Sequence, residues 1–261
     1  MKPPVLILHA TGTNRDREAL RACSLAGGAP EIVHINQLLS GEKKLMDYRM
    51  LVVPGGFSYG DDLGAGKLWS VVLRYRQSGE LAEFVEAKRP ILGICNGFQT
   101  LVKLGLLPGL NDASGVGEQV ATLTRNDSAR FECRWVYLAP ESQCPSVFTR
   151  DLKEPIYCPI AHAEGKFVAR DAALLEEIEA RHLVALRYVG PDGRPGGYPW
   201  NPNGSQGDIA GICNPEGTVM GMMPHPEDAI VVEQHPAYHK GKGDMLGLPL
   251  FEGGVRYASQ L

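Results

Sequence analysis

Short strand-like runs, mostly apolar and each followed by a stretch with helical spacing, dominate the first hundred positions. Residues 5–8, 31–35, 50–53 and 90–94 read as strands, and residues 14–26, 68–76, 81–88 and 96–104 as helices. Thr13 or Asn14 is the expected N-cap of the first helix, and Gly27 with Gly28 its stop. A strand that is apolar on both faces needs cover on both. Alternating with helices, such strands predict an α/β fold with a parallel central sheet between helical layers. In sheets of this kind ligands bind beyond the carboxyl ends of the strands. Two of the strands end in chemically informative segments, 54–62 and 93–99.

The second half changes character. Residues 120–124 and 130–138 read as antiparallel strands around a polar turn, 172–180 as a short helix, and 183–188, 209–213 and 219–223 as strands. The stretch 189–207 is rich in Gly, Pro and Asn and is expected to be a long loop, a length that in compact domains goes with function or mobility. A last helix is expected over 248–257. There is no internal repeat and no linker. A chain of 261 residues, 44% hydrophobic and 21% charged, fits a single domain over 1–261 with the tail 235–261 packing on it. A net charge of -4 is no match for nucleic acid or an anionic membrane. No apolar run reaches the roughly 18 residues of a membrane span, and residues 5–8 are too few for a signal-peptide core. The reading is of a cytoplasmic protein with reduced thiols.

None of the six cysteines sits in a C-x-x-C pair, so a zinc ribbon is not expected and no metal site is assigned. Five of them read as small hydrophobes. Cys95 differs by its setting, Gly93-Ile94-Cys95-Asn96-Gly97. With serine, the spacing G-x-C-x-G is the nucleophile elbow of hydrolases. The chain turns sharply from strand into helix, and small residues two before and two after the apex avoid collision. The sulfur then sits at a helix N-terminus, which favours thiolate, and the Asn96 N–H is placed to stabilise an oxyanion. A buried cysteine between two incidental glycines would show the same letters, so the pattern requires a base elsewhere.

That base is expected 130 positions later, in Pro224-His225-Pro226-Glu227. Prolines on both sides predict an extended backbone, in which residues two apart point the same way. Glu227 would then orient the His225 imidazole, completing nucleophile, base and orienter. A lone H-P-E is otherwise a surface turn. His9, His34, His162, His182, His235 and His239 are rival bases, His162 the hardest to dismiss, while His235 and His239 read as a solvated tail.

The segment Pro54-Gly55-Gly56-Phe57-Ser58-Tyr59-Gly60-Asp61-Asp62 follows a strand but is neither G-x-G-x-x-G nor a P-loop; around Gly66-Lys67 the first glycine is replaced by Asp61 and the hydroxyl residue by Leu68. No nucleotide cradle is found. Gly55 and Gly56 instead let the main chain approach a reacting carbonyl and supply a second oxyanion donor.

Taken together, G-I-C-N-G-F-Q at 93–99 and P-H-P-E at 224–227 resemble the nucleophile and His/Glu motifs of class I (triad) glutamine amidotransferases. Four further segments are similar to the purine-biosynthetic branch of that family: G-G-F-S-Y-G-D at 55–61, P-I-A-H-A-E-G at 159–165, N-P-N-G-S at 201–205 and G-M-M-P-H-P-E at 221–227. The resemblance runs from residue 5 to about 228. It implies a flavodoxin-like three-layer sandwich with a mostly parallel sheet and a small antiparallel extension. It implies Cys95, His225 and Glu227 as the triad, Gly56 and Asn96 as oxyanion donors, and Gly55, Gln99, His162, Glu164 and Gly165 as lining of the glutamine site. Ala163 stands where the family commonly has glycine; an alanine N–H still donates if φ is negative. The resemblance also implies no cofactor in this chain, with ATP and Mg on a partner synthetase subunit (PurL-type) and a further small subunit (PurS-type). The alternatives are a glutaminase component of another amidotransferase, a stand-alone γ-glutamyl hydrolase, and a catalytically silent scaffold.

Overall fold

The computed structural model describes residues 2–110 and 116–261; residues 1 and 111–115, which fall inside the expected single domain, lie outside the described residues. In chain order the elements are β1 (Pro4–His9), α1 (Asp16–Leu25), β2 (Ala29–His34), α2 (Ile35–Leu39), β3 (Met50–Val53), α3 (Lys67–Arg76), α4 (Ser78–Glu86), β4 (Ile91–Ile94) and α5 (Asn96–Lys103). They continue with β5 (Ala121–Thr124), β6 (Glu132–Pro140), β7 (Ile156–His162), β8 (Lys166–Ala169), α6 (Ala172–Ala180), β9 (Val184–Val189), β10 (Ile209–Cys213), β11 (Val219–Met222) and α7 (Leu248–Ala258).

Among the described residues, nine strands form one sheet in the order β2-β1-β3-β4-β11-β10-β9-β6-β7. The first five run parallel, and the rest extend the sheet antiparallel from β11. Every residue of β3, β4, β10 and β11 is buried, which is why those runs carry no polar alternation. The chain leaves β1 in one direction for β2 and returns past it in the other for β3 and β4. Right-handed crossovers therefore put α1 on one face and α3 and α4 on the other. Helix α7 joins α1, and α5 joins α3, giving the flavodoxin-like sandwich. No described helix is long and apolar enough to cross a membrane.

The structure corrects the sequence reading in several places. Arg15, not Thr13 or Asn14, is at the N-cap of α1. Thr13 instead accepts from the Ala10 N–H and bridges to Gly56, while the Asn14 N–H donates to Gly55 O, so these residues serve the loop after β3. Ile35 opens α2, because His34 Nδ1 caps it by accepting from the Asn36 N–H. Helix α4 begins at Ser78, three residues before the expected start. The stretches expected to pair as a hairpin do not: β5 pairs with β8, and β6 with β7 and β9. Between them Asn126 is turned away, its side chain donating to His162 O and Arg130 O. Strand β7 went unread because it contains Pro159; it is the edge strand of the sheet, where a missing N–H is tolerated. Cys133 is exposed rather than a core hydrophobe. His235 is no solvated residue: it is buried and tilts against Tyr157 and Trp135.

Candidate active site

Strand β4 lies between β3 and β11, so three loops converge at adjacent carboxyl ends. The parallel register that sets Ile94 beside Met222 brings Cys95 and His225 to the same rim across 130 positions of sequence.

Cys95 caps α5 with φ 50° and ψ -105°. Such a conformation costs a non-glycine residue roughly 1–3 kcal/mol and persists where the surroundings hold it. Here they do. The Cys95 N–H donates to Met222 O at 2.8 Å, and its carbonyl accepts from the Gln99 N–H at 3.0 Å. A Cβ on Gly97 would lie 1.8 Å from Val53 O, and one on Gly93 would lie 2.6 Å from Leu101 Cδ1. The glycines around the cysteine are there because β3 and α5 close on this turn. The Asn96 N–H, in the first turn of α5, has no acceptor within the helix. The Asn96 side chain fixes that turn: its Oδ1 accepts from the Ser58 N–H (3.2 Å) and hydroxyl (2.5 Å), and its Nδ2 donates to Asp61 Oδ1 at 2.9 Å. Burial pushes the Asp61 carboxyl up from its ordinary range.

His225 is anchored by its N–H to Pro159 O at 2.8 Å. The expected extended backbone around it is not found. Pro226–Asp228 is a 3-10 turn, and this turn carries Glu227 Oε1 to 2.7 Å from His225 Nδ1. Proline at the start of a helical turn pre-sets φ for it. Burial disfavours the imidazolium, but the Glu227 carboxylate and the Cys95 sulfur, by charge and hydrogen bond, outweigh it and hold the His225 pKa well above its ordinary value. The Glu227 side chain has no solvent exposure, and its Oε2 has no hydrogen-bond partner among the described residues. His225, Glu227 and Asp228 have donor atoms within 4.8 Å of one another. Arg15 Nε, 3.0 Å from Asp228 Oδ2, already supplies positive charge there and disfavours a metal cation.

Gly55 and Gly56 close the third side. A Cβ on Gly55 would sit 2.6 Å from His225 Cε1 and 3.4 Å from Cys95 Cβ. Both side chains thus lean on one spot of bare backbone. Gly56, at φ 144°, is pressed against Gly12 O and Asn14 N. Gly55→Ala is expected to displace the imidazole and lower turnover at this site by about 10²-fold, with far-ultraviolet circular dichroism as the control for folding.

The segment 162–165 faces this group. Gln99 Nε2 donates to Glu164 O at 2.6 Å, and Glu164 Oε2 accepts from the Ala65 N–H at 3.3 Å. The His162 ring packs against Gly165, where a Cβ would lie 2.2 Å from it. Burial and the neighbouring His225 push its pKa down to about 3. The imidazole is therefore neutral at physiological pH, and its Nδ1 faces Asn126 Oδ1 at 3.1 Å. Among the described residues no carboxylate bonds to this rival base. Sequence reasoning gave Asn126, Ser58, Asp61 and Arg15 no place in the site, naming the loop 57–62 only as a candidate partner contact. Only Ser58 and Asp61 fall inside a segment whose wording drew notice.

These features define the class. The chain belongs to the CobB/CobQ-like glutamine amidotransferase domain family, whose description matches residues 2–258. Among curated relatives it is 48% identical to the phosphoribosylformylglycinamidine synthase subunit PurQ of Treponema denticola, over 98% of this chain and 99% of that protein. It is 41% identical to the subunit of the same name from Dehalococcoides mccartyi, over 100% and 99%. Among solved structures, a chain in the structure of PurLQS from Thermotoga maritima superposes with a TM-score of 0.73 at 33% identity, covering 98% of this chain and 99% of that one.

Proposed function

We infer that the chain is the glutaminase subunit of a phosphoribosylformylglycinamidine synthase: it hydrolyses glutamine to glutamate and passes ammonia to an ATP-dependent synthetase subunit, which converts formylglycinamide ribonucleotide to the amidine in purine biosynthesis. Full-length identity to PurQ subunits carries the pathway assignment. The 2.7 Å His225–Glu227 contact beside Cys95 carries the chemistry. Cys95 thiolate attacks the side-chain amide carbon of glutamine. Backbone N–H groups of Gly56 and Asn96 hold the tetrahedral oxyanion. His225, oriented by Glu227, protonates the departing ammonia, then activates the water that hydrolyses the glutamyl thioester. Gly55, Gln99 and the loop of His162, Glu164 and Gly165 line the glutamine pocket.

Residues 1–261 act as a single amidotransferase domain in this reading, with α7 of the 235–261 tail packed on α1 and β3. ATP and Mg belong to the PurL-type partner, a small PurS-type subunit completes the assembly, and the reaction is cytoplasmic. Two exposed apolar groups are suited to contact the partners: Phe57 and Leu63 at the mouth of the site, and Tyr198 and Trp200 on the 189–207 loop. The test is reconstitution with PurL- and PurS-type subunits, ATP, Mg and formylglycinamide ribonucleotide. Glutamate release coupled to amidine formation is expected. Full glutamine or γ-glutamyl turnover by the lone chain, unchanged by the partners, would identify a stand-alone hydrolase instead.

A further inference from the structure

The N-P-N-G-S segment at 201–205 contributes no group to the proposed chemistry, yet it is among the most buried polar stretches of the molecule. Asn203 is fully buried. Its Nδ2 donates to Gly165 O at 2.9 Å and to the Tyr188 hydroxyl at 3.2 Å. Its Oδ1 accepts from the Ser205 N–H at 3.0 Å and hydroxyl at 2.7 Å. The Ser205 hydroxyl accepts from the Phe167 N–H at 3.0 Å, so the segment grips the chain on both sides of residue 166. Asn201 closes the turn from within, its Oδ1 accepting from the Gly204 and Ser205 N–H groups. A Cβ on Gly204 would lie 2.0 Å from Asp127 Oδ2, so the turn is seated against the 126–127 corner as well.

From the other side Asn126 holds the same short loop. Its Oδ1 accepts from the Gly165 N–H at 3.0 Å, and its Nδ2 donates to His162 O at 2.8 Å. The N–H and the carbonyl of Gly165 are thus each bound by a separate buried asparagine. Buried amides satisfied on every side fix a backbone far more tightly than water does. Neither asparagine hydrogen-bonds to Cys95, His225 or Glu227.

We propose that Asn203 is a positioning residue for glutamine: acting through Gly165, it sets the 162–165 loop at the height the substrate requires, and so governs substrate affinity without governing the reactivity of the thiol. The proposal rests on the reading of 162–165 as part of the glutamine pocket. It also gives the 189–207 loop a consequence: a partner seated on its exposed Tyr198 and Trp200 would press on the segment that holds Gly165.

Asn203→Asp keeps an oxygen for Ser205 and replaces the donor to Gly165 O with an acceptor. Asn203→Ser is a smaller, uncharged variant that removes the same donor and keeps the result readable if the buried carboxylate prevents folding. In the assembled complex either folded variant is expected to raise the KM for glutamine about tenfold or more. The kcat at saturating glutamine and ammonia-dependent turnover should hold within about threefold, and the Cys95 alkylation rate by iodoacetamide within about twofold, changes smaller than the roughly tenfold expected in KM. An unchanged KM, or a KM that rises only in step with a fall in kcat and in alkylation rate, overturns the positioning role. The unmutated complex separates this from the parent reading: if it lacks glutamine-dependent turnover, the glutaminase assignment itself falls.

Discussion

Cys95→Ala will abolish glutamine-dependent turnover, a fall on the order of 10⁵ to 10⁶ in kcat, and leave ammonia-dependent turnover of the assembled complex at its normal level. The substitution is clean on structural grounds. The φ of 50° is no worse for alanine than for cysteine, and the backbone bonds to Met222 and Gln99 do not involve the sulfur. Apart from its interaction with His225, the sulfur's polar contact among the described residues is a 3.9 Å approach to Ala161 O. The fold is therefore untouched, and so, in the proposed complex, are the partner surfaces and the ammonia acceptor. Side-by-side assays with glutamine and with ammonium chloride read the outcome. Glutamine use that survived would place the nucleophile elsewhere.

The second large effect is expected at Glu227. Glu227→Gln keeps the shape and removes the charge that offsets the cost of burying the His225 imidazolium. A neutral amide also presents either of two atoms to Nδ1, so the tautomer is no longer fixed. A loss on the order of 10² to 10⁴ in glutamine turnover is expected, the upper figure being that of the equivalent change in a serine protease triad. The pH profile gives the sign. In the unmutated chain the His225 pKa lies well above the ordinary value near 6.5. Its imidazolium therefore stabilises the folded state fully below about 6.5, and that contribution is lost as pH rises through the raised folded value. In Glu227→Gln the raised value drops, so the alkaline limb of the kcat profile moves to lower pH. Thermal denaturation should show the same displacement. An alkaline limb that stayed in place would mean that Glu227 does not act through the His225 charge.

The half of the fold that carries Cys95 was legible because it is written in residues with few alternatives. Strands buried on both faces leave unbroken apolar runs at 50–53 and 91–94, and the close passage of β3 over α5 leaves no room beside Cys95 for anything but Gly93 and Gly97. The antiparallel half was harder. Partners there are set by long-range contacts: β5 lies next to β8 because Asn126 bonds to the 162–165 loop, which no local pattern announces. Pro159 concealed β7 by looking like a strand breaker when it marks an edge. The His225–Glu227 contact was anticipated for a wrong local reason, since a 3-10 turn and not an extended segment makes it. The buried asparagines were the least visible of all. Asn126 and Asn203 have the letters of ordinary turn residues, and only the folded chain shows that each holds one side of Gly165.

Acid quenching of the assembled complex during turnover of glutamine, followed by peptide mapping, looks directly at the proposed intermediate. One γ-glutamyl thioester on the peptide containing Cys95, absent after Cys95→Ala, is the expected result. A glutamyl adduct on another thiol such as the exposed Cys133, or steady turnover with no adduct on any cysteine, would contradict the account.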